Sequence, residues 1–268
     1  HASAAAAVFR AKFNTSSAYL MVEVLDDDLV HFELSAIGSG PSTTQPIYTS
    51  PMIARTNYPG PTSISQTDNV IETRDIRLEI NRNNLCITLR DKQKQNFYLT
   101  TICPSDLNQA LKGIDIDPGQ IQNIYGLGQE FKRPASADGD WTSLGVREGQ
   151  EFGNAFRQFD GGAIGNIQIP VYYAVGRNNV NYALLMDNVY KQRWDFSVSW
   201  WKARMFGDQL RFYLMTGPDL PDLRADYMEL TGRPPVPPKK AFGLWVSEFG
   251  YDNWNQIDGL LNGLRNRN

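Results

Sequence analysis

Four prolines stand within six residues at Arg233-Pro-Pro-Val-Pro-Pro238. Each lacks a backbone N–H and its ring clashes with a preceding helical turn, so neither a helix nor an interior strand passes through. The segment favours extended backbone and reads as a stiff connector between two modules, with a proline-rich ligand for a partner as the other reading. The texture changes across it. Ala241 to Val246 is an almost wholly apolar run, as in a strand buried on both faces of a parallel sheet. A loop from Ser247 to Asn253 follows, and Trp254, Ile257, Leu260, Leu261 and Leu264 then mark an amphipathic helix. A single β-loop-α unit has no parallel partner, so this end reads as a piece of a larger α/β domain. The 268 residues admit one or two domains. The expected division is a first module over 1–231, a linker over 232–241 and the truncated start of a second domain over 242–268.

The first module reads as strands and turns. Ala18 to Leu25 and Leu29 to Ala36 are β-rich runs separated by Asp26-Asp27-Asp28. That triplet lacks the spacing and glycine of an EF-hand loop and is expected to be a solvated hairpin turn. Glycine and proline between Gly38 and Pro61 mark a long irregular connection. Ile76, Leu78 and Ile80 alternate onto one face. Leu85 to Arg90 and Phe97 to Ile102 read as a hairpin around the polar segment Asp91 to Asn96, and later strands are expected at Ile167–Val175, Asn181–Met186, Arg193–Val198 and Leu210–Met215. Many short strands with irregular turns argue for a large β-sandwich. A helix is expected over Leu220–Thr231, with Asp219 as N-cap, Pro221 in the first turn and Gly232 at the exit.

Composition excludes several functions. Lys+Arg 26 against Asp+Glu 29 leaves a net charge of -3, without the basic surplus that binding to nucleic acid requires. The longest apolar stretch, Ala4 to Phe9, is far shorter than the roughly 20 residues of a spanning helix, so no membrane partner is expected. The two cysteines, Cys86 and Cys103, flank the expected hairpin. A bridge is one reading; two reduced, buried thiols is the favoured one. Neither lies in a CxxC pair, and His31 sits within a strand pattern as a structural histidine. Metal centres and Ser-His-Asp or Cys-His catalysis are therefore not expected. Gly126-Leu-Gly128 is too short for a dinucleotide fingerprint, so no cofactor is expected either. Carboxylates are left to carry any chemistry. Asn14-Thr15-Ser16 is a glycosylation sequon whose use depends on the source.

Three segments carry a resemblance. They are Ile124-Tyr-Gly-Leu-Gly-Gln-Glu-Phe131; Phe156-Arg-Gln-Phe-Asp-Gly-Gly162 with Ile169-Pro-Val-Tyr-Tyr173; and Gly232-Arg-Pro-Pro-Val-Pro-Pro238 with Phe242-Gly-Leu-Trp-Val-Ser-Glu-Phe-Gly-Tyr-Asp-Asn253. Together they resemble glycoside hydrolase family 31, the family of many α-glucosidases and α-xylosidases, over roughly residues 120–268. The resemblance implies a mainly β fold: a large N-terminal β-sandwich, mutarotase-like, followed by the first β/α unit of a (β/α)8 barrel. It implies that Phe249 stacks on the sugar being cleaved, and that Asp160, on a loop from the sandwich, accepts hydrogen bonds from sugar hydroxyls. Glu248 and Asp252 near the barrel mouth, and Trp141, would touch outer sugar units; Asp252 serves equally well as a helix N-cap. The sequence departs from the family's pattern at Arg157-Gln158-Phe159, ahead of Asp160.

Retaining glycosidases use two carboxyl groups about 5–5.5 Å apart. In the family both are aspartates on later barrel strands, so the resemblance implies no catalytic residue within this chain. The partners it implies are an α-linked oligosaccharide and the C-terminal remainder of the same enzyme, to which this chain would dock as a fragment. A non-catalytic carbohydrate-binding sandwich, or transglycosylase or lyase chemistry, is the competing expectation.

Overall fold

A computed structural model describes residues 7–37, 50–128, 146–149, 154–159, 162–167, 169–190, 192–196, 198–207, 209–243 and 252–267. Strands dominate it. In chain order they are β1 (Phe9–Asn14), β2 (Ala18–Val24), β3 (Leu29–Ala36), β4 (Ser65–Thr67), β5 (Val70–Glu72), β6 (Ile76–Ile80), β7 (Ile87–Asp91), β8 (Phe97–Ser105) and β9 (Leu111–Ile116). They continue as β10 (Ile121–Gly126), β11 (Val146–Gly149), β12 (Asn154–Phe159), β13 (Gly162–Ile167), β14 (Val171–Gly176), β15 (Asn181–Met186), β16 (Gln192–Asp195), β17 (Trp201–Phe206) and β18 (Leu210–Gly217). Two α-helices follow, α1 (Leu220–Thr231) and α2 (Trp254–Arg265). No helix among the described residues is long and apolar enough to cross a membrane.

Two antiparallel sheets make the fold. One is ordered β1-β2-β3-β18-β15-β14-β10 and the other β11-β16-β17-β9-β8-β7-β6-β5-β4, while among the described residues β12 and β13 pair with each other as a separate two-stranded sheet. The two sheets share one core. Val22, Phe32, Leu184 and Phe212 of the first sheet join Leu78, Leu89 and Ile114 of the second in a single apolar cluster. Phe32 and Phe212 stack with ring centroids 5.1 Å apart, and Tyr172 stands edge-on to Trp194, Phe196 and Trp201, of which Trp194 and Phe196 stack on each other, within the same core.

The outer side of the seven-stranded sheet is also covered. Leu223 and Leu230 of α1 pack with Ile53, Tyr58, Leu185 and Met215 in a second apolar cluster. This roof packs on β14, β15 and β18; β2, β3 and β15 are buried along their whole length, where a one-sided sheet would alternate. The long connection is also fastened to α1 by hydrogen bonds and by an Arg55–Glu229 ion pair. The backbone N–H groups of Ala54 and Arg55 both donate to the Leu230 carbonyl, at 2.9 and 3.1 Å. They satisfy an acceptor that the last turn of a helix leaves open.

Local patterns hold where local forces decide. β3 and β15 have the expected bounds, β6 shows the expected alternation, and β7 and β8 form the expected hairpin. α1 also has its expected bounds, with the Asp219 carboxylate accepting from the Asp222 N–H at 2.9 Å. Three expectations fail. The run Ile167–Val175 is split, because Pro170 has no N–H to give a ladder and β14 starts only at Val171. Asp27 is not solvated: it is 1% exposed and accepts from the Thr62 N–H and hydroxyl at 3.1 and 2.5 Å. Cys86 and Cys103 are not free thiols but a disulfide, since antiparallel pairing of Ile87 with Ile102 sets them opposite each other.

The chain divides into two compact units, His1–Gly232 and Arg233–Asn268. In the second, α2 forms as expected, with Trp254 78% exposed. Among the described residues the expected strand over Ala241–Val246 is not seen: Lys239–Phe242 is a turn of 3-10 helix, and residues 244–251 lie outside the described residues. A buried-type strand needs a neighbour to take its N–H and C=O groups.

Candidate functional site

Of the five residues expected to bind sugar, Asp160, Phe249, Glu248 and Trp141 lie outside the described residues. The described residues therefore assemble no sugar site from them. The strands on either side of Asp160 are placed: β12 and β13 form a hairpin whose register pairs Phe159 with Gly162. Asp252 is placed too, exposed and just ahead of α2. It is not the N-cap. Asn253 takes that role, accepting from the Gln256 N–H at 3.2 Å, while the Asp252 N–H donates to the Gln256 side chain at 2.9 Å. This reciprocal pairing leaves the Asp252 carboxylate out of the helix start.

The Tyr-Gly-Leu-Gly segment has an unusual backbone. Gly126, Leu127 and Gly128 all have positive φ, at 117°, 59° and 89°. A Cβ on Gly126 would meet the Val171 carbonyl oxygen at 2.4 Å, so glycine is required where β10 leaves β14. Leu127 tolerates its strained φ because its side chain is buried and its N–H donates to that same carbonyl at 2.7 Å. The motif is thus matched by a run of three positive-φ residues at the end of β10.

Two polar clusters lie beyond the reach of sequence reasoning. The first joins the β2–β3 turn to α1. Asp222 and Asp226 are four residues apart on one helix face, and a carboxylate oxygen from each lies within 4.8 Å of the other and of Asp28. Burial, and then the neighbouring Asp26, Asp75 and Asp222, push Asp28 up to about 7. Burial, and then Asp28 and Asp222, push Asp226 up to about 8. Such oxygen donors are the kind that hard cations take. With protons alone, the cluster disfavours its charged form.

The sign of the resulting pH dependence follows from linkage. Folding raises these pKa values above the usual 3.8, so the folded chain binds protons more tightly than the unfolded one. The contribution is fully present below about pH 4 and is lost as pH rises through 7 to 8. Asp226→Asn should therefore stabilise the chain at pH 8 by about 1 kcal/mol, or roughly 2–4 °C in Tm, and have little effect at pH 4. Thermal melts at the two pH values check this; equal shifts at both would contradict it.

The second cluster lies on the outer side of the seven-stranded sheet. Strand register lines up Arg10, Glu23, His31 and Tyr213 in one row, and Glu33 beside Arg211 in another. His31 is 3% exposed, stacks on Tyr213 at 4.4 Å and places Nδ1 3.1 Å from Glu23 Oε2. Its Nε2 is 3.8 Å from Glu33 Oε1. Burial favours a raised Glu23 pKa, but His31 and Arg10 outweigh it and the carboxyl is lowered. Burial raises Glu33 and Asp187. His31 is accordingly a structural residue, as its strand position implies. Its partners come from separate strands, which local sequence does not reveal.

No family model matches the chain. Among curated proteins, it is similar to Alpha-glucosidase 2 of Bacillus thermoamyloliquefaciens, 31% identical over 88 residues, which is 32% of this chain and 11% of that protein. Among solved structures, it is similar to a family 31 dextranase of Flavobacterium johnsoniae complexed with isomaltotriose. That match has a TM-score of 0.65 and 16% identity, and covers 98% of this chain and 32% of the dextranase. A family 31 α-xylosidase from a soil metagenome, complexed with xylose, gives a TM-score of 0.67 at 13% identity, covering 97% of this chain and 39% of that one. The chain thus spans well under half the length of these relatives. Motifs, paired sheets and partial coverage agree: the chain is similar to glycoside hydrolase family 31 enzymes and shares the fold of part of their length.

Proposed function

We propose that the chain is the N-terminal part of a retaining α-glycosidase that hydrolyses α-glucosidic linkages of oligosaccharides. The observation that carries this reading is the 31% identity to an α-glucosidase, together with the family's motifs around Asp160 and Phe249. In this reading residues 242–268 begin a (β/α)8 barrel completed by the C-terminal remainder of the same protein. The two catalytic aspartates belong to that remainder, one attacking the anomeric carbon and one protonating the leaving oxygen. This chain contributes substrate contacts. Phe249 lays a flat apolar face on the pyranose and keeps water away; Asp160 accepts sugar hydroxyls and fixes ring orientation. Glu248, Asp252 and Trp141 serve sugar units further out.

The test uses the complete protein on p-nitrophenyl α-glucoside and α-xyloside. Asp160→Ala and Phe249→Ala should each lower kcat/KM by roughly tenfold to a hundredfold, since each contact is worth about 1.5–3 kcal/mol. Wild-type kinetics in both variants would refute the assignments. The compactness of His1–Gly232 as its own unit favours a second reading, a non-catalytic carbohydrate-binding sandwich. Sugar binding without turnover of any α-glycoside by the complete protein would favour it, while transfer or elimination products would point to transglycosylase or lyase chemistry.

A further inference from the structure

We propose that Asn14 is an N-glycan acceptor and that the chain matures in an oxidising, glycosylating compartment. Asn14-Thr15-Ser16 is the single Asn-x-Ser/Thr sequence in the 268 residues. The fold presents it well. Asn14 is the last residue of β1, the edge strand of the seven-stranded sheet, and Asn14 and Ser16 are both exposed. Thr15 between them is tied into the turn: its hydroxyl accepts from the Ser17 and Ala18 N–H groups at 3.3 and 3.0 Å. The acceptor residue and the required hydroxyl residue therefore reach solvent while the intervening one holds the turn.

An independent observation concerns the compartment. The Cys86–Cys103 bridge belongs to oxidising surroundings, because cytosolic thiols are kept reduced.

The donor is an oligosaccharide carried on a lipid pyrophosphate. Asn14 Nδ2 forms a bond to the anomeric carbon as the bond from that carbon to the pyrophosphate oxygen breaks. The lipid pyrophosphate leaves, and the amide releases one proton to solvent. No oxidant or reductant is needed.

The test takes the protein from its native host and treats it with peptide N-glycosidase in heavy-oxygen water. The expected result is a labelled acid in place of the amide at position 14. A gel shift on the same treatment should disappear in Asn14→Gln and Ser16→Ala and persist in Ser16→Thr. An unlabelled asparagine at position 14 overturns the proposal, whatever the state of the two cysteines. Glycosidase activity plays no part in the readout, so the result is independent of the proposed function.

Discussion

Phe32→Ala should lower the stability of the chain by about 3–5 kcal/mol, the usual cost of truncating a buried aromatic ring. Phe32 is fully buried, stacks on Phe212 and stands in register between Val22 and Phe212. Its ring belongs to the core shared by the two sheets, where alanine leaves a cavity that flanking strands cannot close without breaking their ladders. Phe32→Leu, which keeps most of the volume, should cost far less. Urea unfolding followed by circular dichroism measures both. A loss under about 1 kcal/mol for the alanine variant would mean that the sheets do not meet there.

Breaking the disulfide should cost about 3 kcal/mol. The bridge closes a separation of 17 residues, and the chain-entropy treatment gives that order of magnitude for such a loop. Cys103→Ser and reduction of the wild type should lower the urea midpoint by similar amounts. Reductant should have no further effect on the variant. A wild type indifferent to reductant would return Cys86 and Cys103 to the free-thiol reading that their sequence context favours.

What is legible in the sequence has a common cause. Ile76, Leu78 and Ile80 announce a strand because side-chain direction alternates along it, and Asp219 announces a helix start because its carboxylate reaches its own first turn. Both depend on neighbours a few residues away. The burial of Asp27 is not legible, because its partners Thr62 and Arg74 are 35 and 47 residues distant. The Asp28 cluster and the His31 rows are hidden for the same reason, as their members come from opposite ends of the first unit. For the sugar site, motifs name Asp160, Phe249, Glu248, Asp252 and Trp141. Of these the fold places only Asp252, and it moves the helix cap to Asn253.

By itself the sequence determined the strand-rich first unit, the bounds of α1, the break at the proline segment and the resemblance to glycoside hydrolase family 31. These follow from side-chain periodicity, from proline chemistry and from motif order, all of which are local. Only the tertiary structure decided that β2 and β3 are covered on both faces, that Asp27 is buried and that the cysteines are bridged. Each of those depends on which distant segments the sheet register brings together, and register is set by the packing of two whole sheets.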